Sequence, residues 1–306
     1  MNTTVKDLFS KVADIHDTPP GAFNLRVNGR SIGMANSPNV SIVPKADGTG
    51  IDIHVKAGTR GETVHIPVAI DNSGLSEVVY NDFHIGEDCE DILIVAGCGI
   101  HNCGTDESRH DGIHSFYLGK NAKVTYREKH YGSGGGQGGR VLNPVTNVFL
   151  ESGSHLDMES VQIEGVDSTR RVTKGVLGDD SMFTVTEKIM TSGKQFARTE
   201  FILDLDGKGS SARVVSRSVA KGASLQEFIS QISGNNECVG HSECDAIIMD
   251  EAVVKAVPEI TANHIDASLI HEAAIGKIAG EQLTKLMTLG LTAAEAEAQI
   301  INGFLK

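Results

Sequence analysis

Between Thr4 and about Asp17, the apolar residues Val5, Leu8, Phe9, Val12 and Ile15 recur three and four positions apart. That spacing puts them on one face of a helix, which Pro19 and Pro20 stop. From Ala22 to Ala262 the period changes to two. Ile51-Asp-Ile-His-Val, Val64-His-Ile-Pro-Val, Phe183-Thr-Val, Phe201-Ile-Leu-Asp-Leu and Ala212-Arg-Val-Val alternate apolar and polar residues between Gly, Asn and Asp punctuation. This is the pattern of strands.

Several strands follow a shared lead-in motif: Ile85-Gly-Glu-Asp, Leu118-Gly-Lys-Asn-Ala, Leu150-Glu-Ser-Gly-Ser, Leu177-Gly-Asp-Asp-Ser and Leu205-Asp-Gly-Lys-Gly. The motifs recur at roughly 26 to 34 residues, too irregular for a propeller but suited to a coil of parallel strands with turn residues at its corners. The expected fold is mainly β, a right-handed parallel β-helix (solenoid), with a β-sandwich as the alternative of similar strand length. The expected layout is an amino-terminal helical segment over 1–20, a β-helix core over 21–275 and a carboxyl-terminal helical segment over 276–306.

In that last segment Leu283, Leu286 and Met287 share a face, and Gly290 is a suitable terminator. Thr292-Ala-Ala-Glu295 reads as a capping box opening a second helix, with Ala294, Ala298, Ile301 and Leu305 as its apolar stripe. Two short helices after a solenoid serve as a cap for its open end or as a docking handle. Sequence physics alone favours the cap, because solenoid ends need cover.

Composition narrows the function classes. The chain has 306 residues and 40 Asp+Glu against 27 Lys+Arg, and no basic stripe interleaved with aromatics, so nucleic acid is a poor partner. No apolar run approaches a membrane span, and Met1 to Phe9 lack the apolar core of a signal peptide, so a cytoplasmic protein without membrane contact is expected. Five Cys, an odd number, argue for reduced thiols.

The stretch Tyr131 to Arg140 contains G-x-G-x-x-G at Gly134, Gly136 and Gly139, but no helix-forming sequence follows, so it reads as a flexible loop between strands. There is no phosphate-binding loop of the G-x-x-x-x-G-K-[ST] type and no G-x-S-x-G elbow. The chain is expected to bind no nucleotide and to hydrolyse no ATP by itself.

Two groups of Cys and His remain. The first is His84, Cys89, Cys98, His101, Cys103, His110 and His114, a ligand density that suits Zn, Fe or Fe–S chemistry. Its spacing matches no standard zinc pair, and scattered core and loop residues explain it as well as a metal site does. The second is Cys238, His241, Cys244, His264, His271 and Glu272; Ile275 excludes the H-E-x-x-H zincin pattern at His271.

The second group lies in a longer pattern. Gly240-His-Ser-Glu-Cys-Asp-Ala-Ile-Ile-Met-Asp-Glu, Val257-Pro-Glu-Ile, Ile270-His-Glu-Ala-Ala-Ile-Gly-Lys-Ile, Glu281-Gln-Leu, Leu286-Met, Gly290-Leu, Glu295-Ala and Ile301-Asn-Gly-Phe-Leu follow in fixed order. This order resembles the carboxyl-terminal signature of the SufB/SufD family. Weaker similarity reaches back through Ala197-Arg-Thr-Glu-Phe-Ile-Leu-Asp-Leu to Glu128-Lys-His-Tyr-Gly.

The resemblance implies a non-enzymatic scaffold for iron–sulfur cluster assembly. It implies a parallel β-helix, core-to-core pairing as a homodimer or as a heterodimer with a SufD-like paralogue, and terminal helices that bind a SufC-type ABC ATPase. Leu283, Leu286, Met287, Ile301 and Phe304 are then the expected ATPase contacts. A separate sulfur donor protein is implied, and the cargo is a transient iron–sulfur cluster. The family's cysteine of the C-D-[SA] stretch falls on Cys244, its Glu on Glu272 and the SufD-like His on His271, which makes these the expected cluster and metal ligands. Cys89, Cys98, Cys103 and His101 stand as a second candidate site. The long amino-terminal extension of typical SufB proteins has no counterpart here, and flavin binding stays open. The competing readings are a metal-dependent enzyme using the His84 to His114 group, and a structural protein whose Cys are all buried.

Overall fold

Each alternating segment forms a strand, and strands two apart along the chain pair in parallel, so the chain winds as a coil. The computed structural model describes residues 1–306 as a parallel β-helix of about eight turns. Two ten-stranded sheets form its walls. The first runs, in neighbour order, Arg30–Ala35, Ala22–Val27, Thr63–Ile70, Ile92–His101, Lys123–Ser133, His155–Glu164, Met182–Thr191, Ser211–Ala220, Cys238–Ile248 and Ala267–Gly276. The second includes Val40–Pro44, Gly50–Val55, Ser76–Ile85, Ser108–Leu118, Arg140–Leu142 with Val145–Leu150, Ser168–Leu177, Phe196–Leu205, Leu225–Gly234 and Val253–Ala262. Only the strands Arg30–Ala35 and Val40–Pro44, at the amino-terminal edges, pair antiparallel.

The lead-in motifs are corners between the sheets. Ile85, Leu118, Leu150, Leu177 and Leu205 end strands of the second sheet with their side chains in a single 35-residue core. The corners then stack through backbone hydrogen bonds, Asp88 N to Lys120 O (2.8 Å), Asn121 N to Ser152 O (3.0 Å) and Asp180 N to Lys208 O (2.8 Å). Asp88, Asn121 and Asp180 all have φ of 52° to 56°, a left-handed conformation that Asp and Asn tolerate better than most residues. The glycine after the corner's apolar residue permits the stacking, since a Cβ on Gly119 would lie 2.9 Å from Glu87 N.

The helix Thr3–Ala13 lies on the outside of the first sheet, burying Val5, Leu8, Phe9 and Val12 with Leu25 and Ala69. It ends at Asp14, whose left-handed φ of 54° closes the helix before Pro19 and Pro20 can. The expectation that the prolines stop it is corrected to that extent.

The two carboxyl-terminal helices, Gly280–Thr288 and Ala293–Phe304, do not cap the solenoid. The second packs on the solenoid's flank, where Ile301 and Leu305 cluster with Val219 against Met190, Ile247 and Met249, and Lys221 holds Glu297 at 2.7 Å. Its buried stripe is Ala296, Ile301 and Leu305, whereas Ala294 and Ala298 face solvent. The capping box at Thr292 and Glu295 forms as its sequence indicates. The last turn stays open: Ile260 and Ile275, at inward positions, are 41% and 40% exposed. No helix is long and apolar enough to cross a membrane.

Candidate functional site

The strand Cys238–Ile248 alternates buried and partly exposed residues, which sends Cys238, Gly240, Ser242, Cys244 and Ala246 inward and His241, Glu243 and Asp245 outward. Cys244 is 1% exposed. Strand register makes it the continuation of one inward file down the first sheet: Ala96, Glu128, Ser160, Glu187, Ser216 and Cys244. Burial pushes the Cys244 thiol up to about 12, and the nearby Glu187 and Asp245 charges add to the shift. Buried in this way the thiol is protonated and a poor nucleophile or metal ligand.

The next strand carries His271 and Glu272 on opposite faces, because neighbours on a strand alternate. His271 pairs with Ser242 and shares the interior with Cys244. Neither its Nδ1 nor its Nε2 has a protein hydrogen-bond partner, and the same holds for Ser242 Oγ and for Glu187 Oε1 two strands away. Desolvation holds the His271 imidazole below its usual pKa, so it is a neutral ring with a lone pair to offer.

Glu272 is not brought to Cys244. It pairs across the outer face with Glu243, and its Oε2 lies 3.3 Å from His241 Nε2. Ligand atoms of His241, Glu243 and Glu272 lie within 4.8 Å of one another. Glu243 was not singled out in the sequence, although the spacing His241-x-Glu243 places both on one strand face.

The first Cys/His group disperses. His84 is on the outside of the second sheet, stacked between His54 and Tyr117 with ring centroids 4.7 and 5.1 Å away. Cys89 is buried at a corner, where its Sγ meets Lys56 O at 3.1 Å. Cys98 is interior, and burial first, then the Glu77 and Glu128 charges, raise its thiol pKa well above normal. Cys103 is the one exposed cysteine, with its Sγ 3.1 Å from His101 Nε2, and His101 Nδ1 is 2.9 Å from Ser133 Oγ. The Gly-rich loop packs against this segment, and a Cβ on Gly136 would lie 2.4 Å from Gly104 O.

His110 and His114 join a buried polar network. Asn81 donates to His114 Nε2 (3.3 Å), His114 Nδ1 donates to the Tyr126 hydroxyl (2.7 Å), and that hydroxyl donates to Glu128 (3.0 Å). Arg171 ion-pairs with Glu128 and lies 3.7 Å from Glu187, while His110 Nδ1 lies 2.9 Å from Glu77. Burial opposes ionising Glu128, but Arg171 and His130 outweigh it and hold the carboxyl well below its usual pKa. Burial likewise opposes the Arg171 charge, which the two carboxylates stabilise.

Of the expected ATPase contacts, Leu283 and Leu286 are half-buried and Met287 is exposed on the helix Gly280–Thr288, which buries no residue fully. Ile301 is buried and Phe304 is partly buried against the solenoid, so both serve this chain's own packing.

A family model described as SUF system FeS cluster assembly, SufBD core domain, matches residues 103–233 and 168–304. An iron–sulfur cluster assembly SufBD family protein of Methanothermobacter thermautotrophicus (strain Winter) is 30% identical over 231 residues, 72% of this chain and 53% of that protein. Another from Pyrococcus horikoshii is 26% identical over 90% of this chain and 83% of its own length. A chloroplastic relative from Arabidopsis thaliana is 26% identical over 72% of this chain and 41% of that protein. The chain thus spans about half the length of its Methanothermobacter relatives.

Proposed function

Because this chain belongs to the SufBD family of iron–sulfur cluster assembly proteins, we propose that it is a scaffold on which a transient cluster is built at Cys244 and then handed on. The observation that carries this reading is that His271, neither of whose ring nitrogens has a hydrogen-bond partner, faces the same interior as Cys244, one strand over and two residues along, opposite Ser242, whose Oγ is also unpartnered. A cysteine sulfur, once ionised, and a neutral imidazole facing one interior are donors suited to iron and sulfide. An imidazole ligand also exchanges more readily than a thiolate, which suits a cluster that must leave.

The open last turn supports pairing with a second copy of this chain or a SufD-like paralogue. Exposed edges of both sheets and the inward apolar residues Ile260 and Ile275 gain cover from such a partner. That pairing brings two Cys244 and His271 sets to one interface. The chain acts as a scaffold and not as an enzyme; ATP hydrolysis belongs to a SufC-type ABC ATPase docked on the helix carrying Leu283, Leu286 and Met287. Sulfur arrives from a separate donor protein.

A thiol with a pKa of about 12 is inert, so the account requires ATPase closure to pull the helices and open the interior. The test is iodoacetamide labelling of Cys244, read by peptide mass spectrometry, in the complex with the ATPase with and without ATP. The expected result is slow labelling without ATP and at least about tenfold faster labelling with it. Equal rates in both states contradict the opening step.

A further inference from the structure

The outer face of the second sheet carries a line of rings that the cluster chemistry does not use. His54, His84, Tyr117 and Phe149 occupy paired positions on four successive strands. Their centroids are 4.7, 5.1 and 5.1 Å apart, and neighbouring planes are within 11° of parallel. That step is close to the spacing of adjacent strands, so the rings stack along the coil axis, cover one another's faces and turn their edges outward. Val176, paired with Phe149, continues the line. Together with the corner residues Gly86, Gly119 and Gly178, these side chains line a groove of about 560 Å³, the size of a small-molecule site.

The chemistry of the lining narrows the ligand. An aromatic edge is the positive part of the ring's quadrupole, so a row of edges packs best against the electron-rich face of a flat ring laid across it. Burial first, then the His54 charge, holds His84 below its usual pKa, so its edge is that of a neutral imidazole. The lining contains two carboxylates, Glu151 and Asp206, and no Lys or Arg. Ionised carboxylates only accept hydrogen bonds, which favours amino and ring N–H donors and repels phosphate. Asp206 already accepts from Asn235 Nδ2 (2.6 Å), so Glu151 is the freer acceptor of the two. We propose that this groove binds a flat, uncharged, amino-bearing nitrogen heterocycle of the nucleobase or nucleoside class, without phosphate. The heterocycle lies across the edges of His84, Tyr117 and Phe149, and its amino group donates to Glu151. The groove is on the sheet opposite Cys244 and rests on none of the cluster chemistry.

The test is titration of the full chain into 2-aminopurine, its riboside and the riboside 5′-monophosphate, each followed by its own fluorescence. The base or the riboside is expected to bind saturably at one site per chain, and the monophosphate at least about fivefold more weakly than the riboside. Phe149→Ala is expected to weaken binding at least about tenfold, with far-UV circular dichroism checking the fold. Glu151→Gln, an exposed change outside the core, is expected to weaken the riboside and to narrow its lead over the monophosphate. Tighter binding of the riboside than of the base makes the ligand a nucleoside, and the reverse makes it a free base. Absence of saturable binding by both overturns the proposal. So does equal affinity in wild type and Phe149→Ala, or a monophosphate that binds as tightly as the riboside. Cys244→Ser is expected to bind the riboside as wild type does, and a loss there would place the site elsewhere and overturn it too.

Discussion

His114 shows how a buried side chain contributes to the acid sensitivity of this fold. Its ring is fully enclosed, and burial lowers its pKa from 6.5 to about 4 in spite of the Glu128 charge. Unfolding restores the higher value, so between those pH values the unfolded chain binds the proton and the folded one does not. The neutral ring therefore contributes stability that is present above about pH 6.5 and lost as pH falls towards 4, about 3 kcal/mol across the window. Glu128, with its depressed pKa, adds to the loss below the usual carboxylate range. Urea midpoints measured at intervals from pH 7 to 4.5 should fall steadily, and His114→Gln should flatten that slope. An unchanged slope in the variant would place the acid sensitivity elsewhere. His114 stood in the sequence as a possible metal ligand; its partners are Asn81, paired with it in the same sheet, and Tyr126, across the interior on the other sheet, and no local pattern reveals either relation.

Among the elements, the period-two strands and their corner motifs were legible because each depends on residues close in sequence: alternation, a Gly, and an Asp or Asn that tolerates positive φ. Strand alternation already implied that His271 and Glu272 point to opposite faces, yet which face meets Cys244 depends on the pairing Ser242 with His271, a relation between turns. The placement of the last helix was not legible either. Its Ala-rich first turns offer several weak stripes, and the choice of Ala296, Ile301 and Leu305 is made by the flank that Val219 presents. Ile301→Ala should cost about 2–4 kcal/mol of local docking stability. Hydrogen exchange should then rise in Ala293–Phe304 while the strands keep their protection. Equal protection of that helix in both proteins would mean that Ile301 does not hold it.

The whole molecule is asymmetric along its axis. Short antiparallel strands finish the amino-terminal edges, while the other end presents two strands with free outer edges and exposed core positions. Exposed edges and apolar ends are association hazards unless a partner covers them. Sedimentation velocity should therefore show wild type paired, with a second copy or with a SufD-like paralogue where one is supplied, and Ile260→Asp, with a charge at the open end, as a monomer. A variant that remains dimeric would move the interface to another surface. The central claim, that Cys244 anchors the cluster, is tested most directly by anaerobic reconstitution with iron and sulfide, comparing wild type with Cys244→Ser by visible absorption, bound iron and acid-labile sulfide. The account predicts a sulfide-to-iron charge-transfer band with matching iron and sulfide in wild type, and its loss in the variant. A variant that assembles the same cluster would contradict the claim and direct attention to Cys89, Cys98 and Cys103.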